Sequence, residues 1–127
     1  MAEVQARLQS LSEEYTALQQ ELQVVVQSRQ KLEAQKQENS GVKAEFDRLK
    51  DGENIYKLVG PVLLKQDKVE AESTVNGRLE FISKELERTE TQIKEIQEKM
   101  ERKKGDIIQI QAGLQAGGPP GAATAKA

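Results

Sequence analysis

No cysteine, histidine or tryptophan occurs anywhere in this chain of 127 residues. Without cysteine there are no disulfides, thiol nucleophiles or dithiol redox pairs. Without histidine as well, the common zinc sites and the side chain most used for proton transfer near neutral pH are gone. Aromatic residues are also scarce: two Phe and two Tyr make up 3% of the chain, too few ring anchors for an ordinary globular core. An excess of charge of either sign is missing too. Lys and Arg number 19 against 21 Asp and Glu, so no basic field exists to steer nucleic acid. No apolar run approaches the ~18 residues of a membrane span, and Met1-Ala2-Glu3-Val4 leads directly into polar, amphipathic sequence rather than a basic-then-apolar leader. These absences predict a cytoplasmic protein with no membrane or nucleic-acid partner.

Catalysis is equally unsupported. Glu and Asp are scattered over exposed helical faces, with no concave site in which two carboxyl groups would acquire different pKa values. Gly117-Gly118 has neither the preceding strand nor the following helix of a phosphate loop. The expectation is therefore no enzyme, no catalytic residues, no cofactor and no metal.

What is present is heptad periodicity. Val4, Leu8, Leu11, Tyr15, Leu18, Leu22, Val25, Arg29 and Leu32 recur at alternating steps of four and three, apolar throughout except Arg29. Such a repeat holds a narrow stripe in line along an α-helix and demands a second helix against it. The stripe falters at Lys36 and Asn39 and resumes out of phase at Val42, Phe46 and Leu49, a stammer that coincides with Ser40-Gly41 and marks a bend or soft point. A second stripe runs Val75, Leu79, Ile82, Leu86, Thr89, Ile93, Ile96, Met100, Lys103, Ile107, Ile110, Leu114.

Helix one is expected over about residues 3–50, closed by Asp51-Gly52 as turn and left-handed cap. Helix two is expected over about 68–115, opened by Asp67 and Glu70 in the spacing of a capping box. The whole makes one domain, residues 1–116. Residues 117–127, rich in Gly, Pro and Ala, are expected to form a disordered tail.

The two stripes test each other. Folded back antiparallel, they match Leu8 with Ile110, Leu11 with Ile107, Leu18 with Met100, Leu22 with Ile96, Val25 with Ile93 and Leu32 with Leu86. The same register sets Arg29 opposite Thr89 and Lys103 opposite Tyr15, so polar breaks meet polar or hydroxyl-bearing positions, which indicates an intramolecular hairpin of helices. At about 1.5 Å per residue, the stretch from Val4 to Leu49 would run ~69 Å. Arg29 and Lys103 are read as residues that fix register, and Glu13-Glu14, Lys84-Glu85, Glu87-Arg88 and Arg102-Lys103-Lys104 as solvated faces.

Between the helices lies Ile55-Tyr56-Lys57-Leu58-Val59-Gly60-Pro61-Val62-Leu63-Leu64-Lys65, which reads as a β-hairpin over about residues 54–66 with Gly60-Pro61 at its turn. Neither face is polar and both edges are open, and an isolated hairpin is marginal in water. Ile55, Tyr56, Leu58, Val59, Val62, Leu63 and Leu64 are therefore expected to form a subunit interface.

A long antiparallel helical hairpin carrying a small β-hairpin at its fold-back resembles the β-type subunits of prefoldin. Tyr56-Lys57-Leu58-Val59-Gly60-Pro61-Val62-Leu63, Arg29-Gln30-Lys31-Leu32-Glu33-Ala34-Gln35 ahead of Glu38-Asn39, and Thr74-Val75 ahead of Arg78-Leu79 match in wording as well as layout, over roughly residues 4–114. A single β-hairpin, where α-type subunits have two, points to the β type.

The resemblance implies a mainly α fold that oligomerises through a β-barrel body, in a hexamer of two α-type and four β-type subunits. It also implies an ATP-independent role: capturing unfolded proteins, actin and tubulin among them, and passing them to a chaperonin. On that reading Val4, Leu8, Leu11, Ile107, Ile110 and Leu114 form client-binding tips, loosened by Gly105 and Gly113. The plainer readings are that these are the last layers of the seam, and that the whole protein is a passive coiled-coil scaffold or tether.

Overall fold

The computed structural model describes residues 1–116, so the tail expected over 117–127 lies outside the described residues. Four elements follow in order: α1 (Ala2–Arg48), β1 (Ile55–Val59), β2 (Val62–Gln66) and α2 (Lys68–Ala116). The protein is mainly α, two long antiparallel helices with one small hairpin. The described residues divide into two compact units, 1–26 with 91–116 and 27–90, here termed the terminal unit and the hairpin unit.

α1 has no proline to break it and runs without interruption through Ser40-Gly41, where Asn39 donates its side-chain amide to the carbonyl of Gln35 at 2.8 Å. The stammer therefore does not end the helix. It appears in the burial pattern instead: Lys36 and Val42 are exposed, and cover returns at Phe46 and Leu49. After Arg48, Leu49 N–H bonds back to the Phe46 carbonyl and tightens the final turn.

Gly52 is left-handed, with φ +89°, but it does not cap the helix. It occupies the third position of a separate β-turn closed by Glu53 N–H to the Lys50 carbonyl at 3.1 Å, where positive φ is required. α2 opens on Asp67, whose side-chain oxygen accepts from Glu70 N–H at 3.3 Å and satisfies one orphan donor of the first turn.

The strands pair antiparallel in the register Ile55 with Gln66, Tyr56 with Lys65, Lys57 with Leu64, Leu58 with Leu63 and Val59 with Val62. That leaves a two-residue turn. Gly60 has φ +58° and Pro61, like every non-glycine residue described, has negative φ, which makes the turn type II′ and matches the twist of the flanking strands.

Every position of the two seams from Val4 to Leu32 and from Val75 to Leu114 is at least half-buried. Buried most deeply are Leu11, Ala71, Val75, Ile82, Leu86 and Ile96, with Thr89 the buried polar residue. No large side chain among the described residues is completely enclosed, because a two-helix seam leaves a flank of each layer in water. Thr89 is accommodated by donating its hydroxyl to the Glu85 carbonyl at 2.7 Å, within its own helix.

Candidate functional site

In the hairpin unit the strand pairing sorts side chains onto two faces. One carries Ile55, Lys57 and Val59 with Val62, Leu64 and Gln66; the other carries Tyr56 and Leu58 with Leu63 and Lys65. Both are apolar toward the turn. Ile55 and Gln66, at the open end, are half-buried; Ile55 lines a cleft with Val42, Phe46, Ala71 and Val75, which anchors the hairpin to its own helices. Tyr56, Leu58, Val59, Val62, Leu63 and Leu64 are about half exposed or more, reaching 69% at Leu58. Six large side chains of this kind on ten strand residues form an apolar surface that water solvates poorly.

In the terminal unit the structure places the expected tip residues within the seam. Leu11 is buried, whereas Val4, Leu8, Ile107, Ile110 and Leu114 are half-buried. On α2 the cover thins along the helix: most seam residues from Val75 to Ile96 are buried, and Met100, Lys103, Ile107, Ile110 and Leu114 are all only half-buried. Among the described residues three further large apolar side chains of this unit lie exposed outside the stripe, Met1 at 81%, Val24 at 63% and Ile108 at 53%. Periodicity does not find them, because it selects the residues a partner helix covers; an apolar residue off the stripe is the signal that finds Ile108. Gly105 and Gly113 both lie inside continuous α2.

Both charges in the seam are satisfied across it. Lys103 Nζ lies 2.5 Å from Glu14 Oε2, and Arg29 Nη2 lies 2.9 Å from Glu90 Oε1 and 3.5 Å from Glu33 Oε1. Each cross-helix partner, Glu14 and Glu90, sits one residue away from the position expected opposite, so the cations reach flanking carboxylates rather than Tyr15 and Thr89. Glu14 is thus more than a solvated face: the hydrogen bond and charge of Lys103 hold its carboxyl below the ordinary carboxylate range. Glu80 with Lys84 and Glu85 with Arg88 are local exposed pairs within α2, as a solvated face provides.

Among the described residues no group of acidic side chains is arranged to hold a metal ion, and no helix is long and apolar enough to cross a membrane. The apolar surface least covered by the chain itself lies on the hairpin faces and in the half-buried layers of the terminal unit.

Residues 9–113 match the family described as Prefoldin subunit. The chain belongs to that family. Among curated proteins, this prefoldin chain is 43% identical to prefoldin subunit 6 of Bos taurus over 117 residues, covering 91% of this chain and 90% of the relative. It is 40% identical to prefoldin subunit 6 of Saccharomyces cerevisiae over 112 residues, covering 88% and 98%. Among solved structures, the prefoldin beta subunit of Thermococcus strain KS-1 superposes with a TM-score of 0.75 at 30% identity, covering 90% of this chain and 95% of that one. The match reaches across both helices and the hairpin, so the prefoldin chain shares the architecture of a β-type subunit, and its family supports a co-chaperone role built on assembly with other prefoldin subunits.

Proposed function

We propose that the chain is one subunit of a prefoldin hexamer, two α-type and four β-type, that holds unfolded proteins without ATP and passes them to the cytosolic chaperonin, with actin and tubulin among its clients. The observation that carries this reading is the hairpin. In a family of subunits, six apolar strand residues stand about half exposed or more beside open strand edges, a surface suited to neighbouring strands in a shared β-barrel. Ile55, Tyr56, Leu58, Val59, Val62, Leu63 and Leu64 form that interface.

Clients are gripped at the terminal unit, where the half-buried Val4, Leu8, Ile107, Ile110 and Leu114 open as the end frays and uncover Leu11, which the resting seam buries. Met1 and Ile108, already exposed, add apolar area there. Non-native chains present apolar segments without fixed geometry, and a fraying end on a charged shaft places few geometric demands on them. The chain works in the cytoplasm, where such clients are made.

Light scattering from a chemically unfolded protein tests the holdase reading. The reconstituted complex is expected to suppress aggregation at stoichiometric amounts without nucleotide. Absence of suppression by a correctly assembled complex would establish the alternative, a passive coiled-coil scaffold.

A further inference from the structure

Two adjoining clefts of the hairpin unit share Thr74 and Arg78. The first takes in Phe46 and Tyr56, the second Phe81, so three of the four aromatic residues in the chain gather around one stretch of α2. Phe46 is half-buried and serves the packing; Tyr56 at 53% and Phe81 at 63% exposure do not. In a sequence this poor in rings, two exposed ones flanking a single arginine stand out from the solvated remainder of the shaft.

The electrostatics point the same way. Arg29, Arg48 and Arg88 each reach a carboxylate at 2.9 Å. Among the described residues Arg7, Arg78 and Arg102 reach none, but Arg7 has Glu3 and Arg102 has Glu98 and Asp106 four residues away on the same helix, whereas the neighbours of Arg78 three and four residues away are Thr74, Val75, Phe81 and Ile82, none of them acidic. No carboxylate lines either cleft, and the other cation there, Lys57, is likewise without an ion-pair partner among the described residues. The groove thus offers apolar and aromatic walls with two uncompensated positive charges, and its complement is a segment that carries an apolar side chain beside a carboxylate.

We propose that this groove, running from Tyr56 past Arg78 to Phe81, seats an acidic, apolar segment of a neighbouring prefoldin subunit, extending the assembly surface from the hairpin onto the shaft. This rests on the reading of the hairpin as the assembly element, with which the groove is continuous through Tyr56 and Lys57. Arg78 supplies a planar donor fork for the carboxylate, and Phe81 and Tyr56 supply the apolar contact on either side.

Because the chain has no cysteine, Thr74→Cys places a unique thiol in the lining shared by the two clefts, at an exposed position open to labelling. In the full-length chain reconstituted with its partner subunits, labelling of that thiol is expected to slow at least tenfold relative to the isolated chain. Arg78→Glu and Phe81→Ser are each expected to raise the concentration needed for assembly about tenfold, while Arg78→Lys stays close to wild type. Helix content by circular dichroism is expected to be unchanged.

A thiol equally reactive in the assembled complex would overturn the proposal, as would protection that appears only when an unfolded client is added. The hairpin is tested separately by Leu58→Asp. If that variant dissociates while Arg78→Glu and Phe81→Ser assemble normally, the groove fails and the hairpin interface stands. If Leu58→Asp assembles normally while the groove variants do not, the hairpin reading fails and the groove remains a contact in its own right.

Discussion

Glu14 and Lys103 show how a charge inside a hydrophobic stripe is tolerated at the level of single residues. Lysine at a seam position loses packing but keeps its head at the edge of the seam, where a carboxylate on the facing helix meets it. Since Lys103 lowers the pKa of Glu14, the pair stabilises the fold at pH values above the ordinary carboxylate pKa of about 4.3, and this contribution disappears as pH falls through the lowered value. Glu14→Gln is therefore expected to melt below wild type at neutral pH, with the two curves converging in acid. The gap is small because both side chains are partly solvated, and thermal melts across the pH range would measure it. At the turn, Gly60 has a φ of +58° that other residues adopt with strain, so Gly60→Ala is expected to cost about 1–2 kcal/mol, read as a lower midpoint of thermal unfolding of the assembled complex.

Within the helices, burial rather than propensity decides where stability resides. Leu86 at 5% exposure and Leu8, half-buried, occupy equivalent seam positions, yet only the first is enclosed by its neighbours. Leu86→Ala is expected to cost about 2–3 kcal/mol and Leu8→Ala roughly half of that, measured by urea unfolding, because less apolar area returns to water at a site that was already wet. The hairpin obeys a different rule. Leu58 and Leu63 are directly opposed on one face and contribute little to the isolated chain, so replacing both by Asp is expected to release the chain from its partner subunits while helix content persists. Two aspartates placed opposite each other also repel across the strands, which makes Leu58→Asp alone the cleaner variant; an assembly retained by both would place the interface elsewhere.

For the molecule as a whole, capture and assembly are proposed to use different units, and so they should be separable. Deleting residues 1–11 together with 107–127 is expected to leave assembly intact and to reduce client capture sharply. Each lost anchor contributes up to about 1.5–3 kcal/mol when fully covered by a client. Deletion from Gly117 onward removes only small or polar residues and is expected to change little. Binding measured after reconstitution with the other subunits decides it: undiminished capture by the longer truncation would assign clients to the shaft.

Period and turn chemistry are local properties, and they were enough to read the two helices, the Gly60-Pro61 hairpin and the seam residues that the structure covers, from Val4 to Leu32 and Val75 to Leu114. A heptad states which side of a helix a partner must cover, whatever the surroundings. It does not state which flanking side chain reaches across. Glu14 and Glu90 look in sequence like any other solvated carboxylates, and only the packing of α1 against α2 brings them to Lys103 and Arg29. Gly52 likewise carries the signal of a helix cap, yet α1 tightens and stops at Arg48, and the glycine serves the following turn. Arg78 and Phe81 divide between the two: they lie three residues apart on one helix, Phe81 off the stripe, which the sequence shows, whereas the adjoining clefts that bring Tyr56 and Lys57 of the hairpin to Arg78, with no carboxylate in their lining, exist only once α1, α2 and the hairpin are folded together. Periodicity reports covered surface, whereas the reach of long side chains and the composition of uncovered surface are set by elements distant in the chain, and these the tertiary structure alone decides.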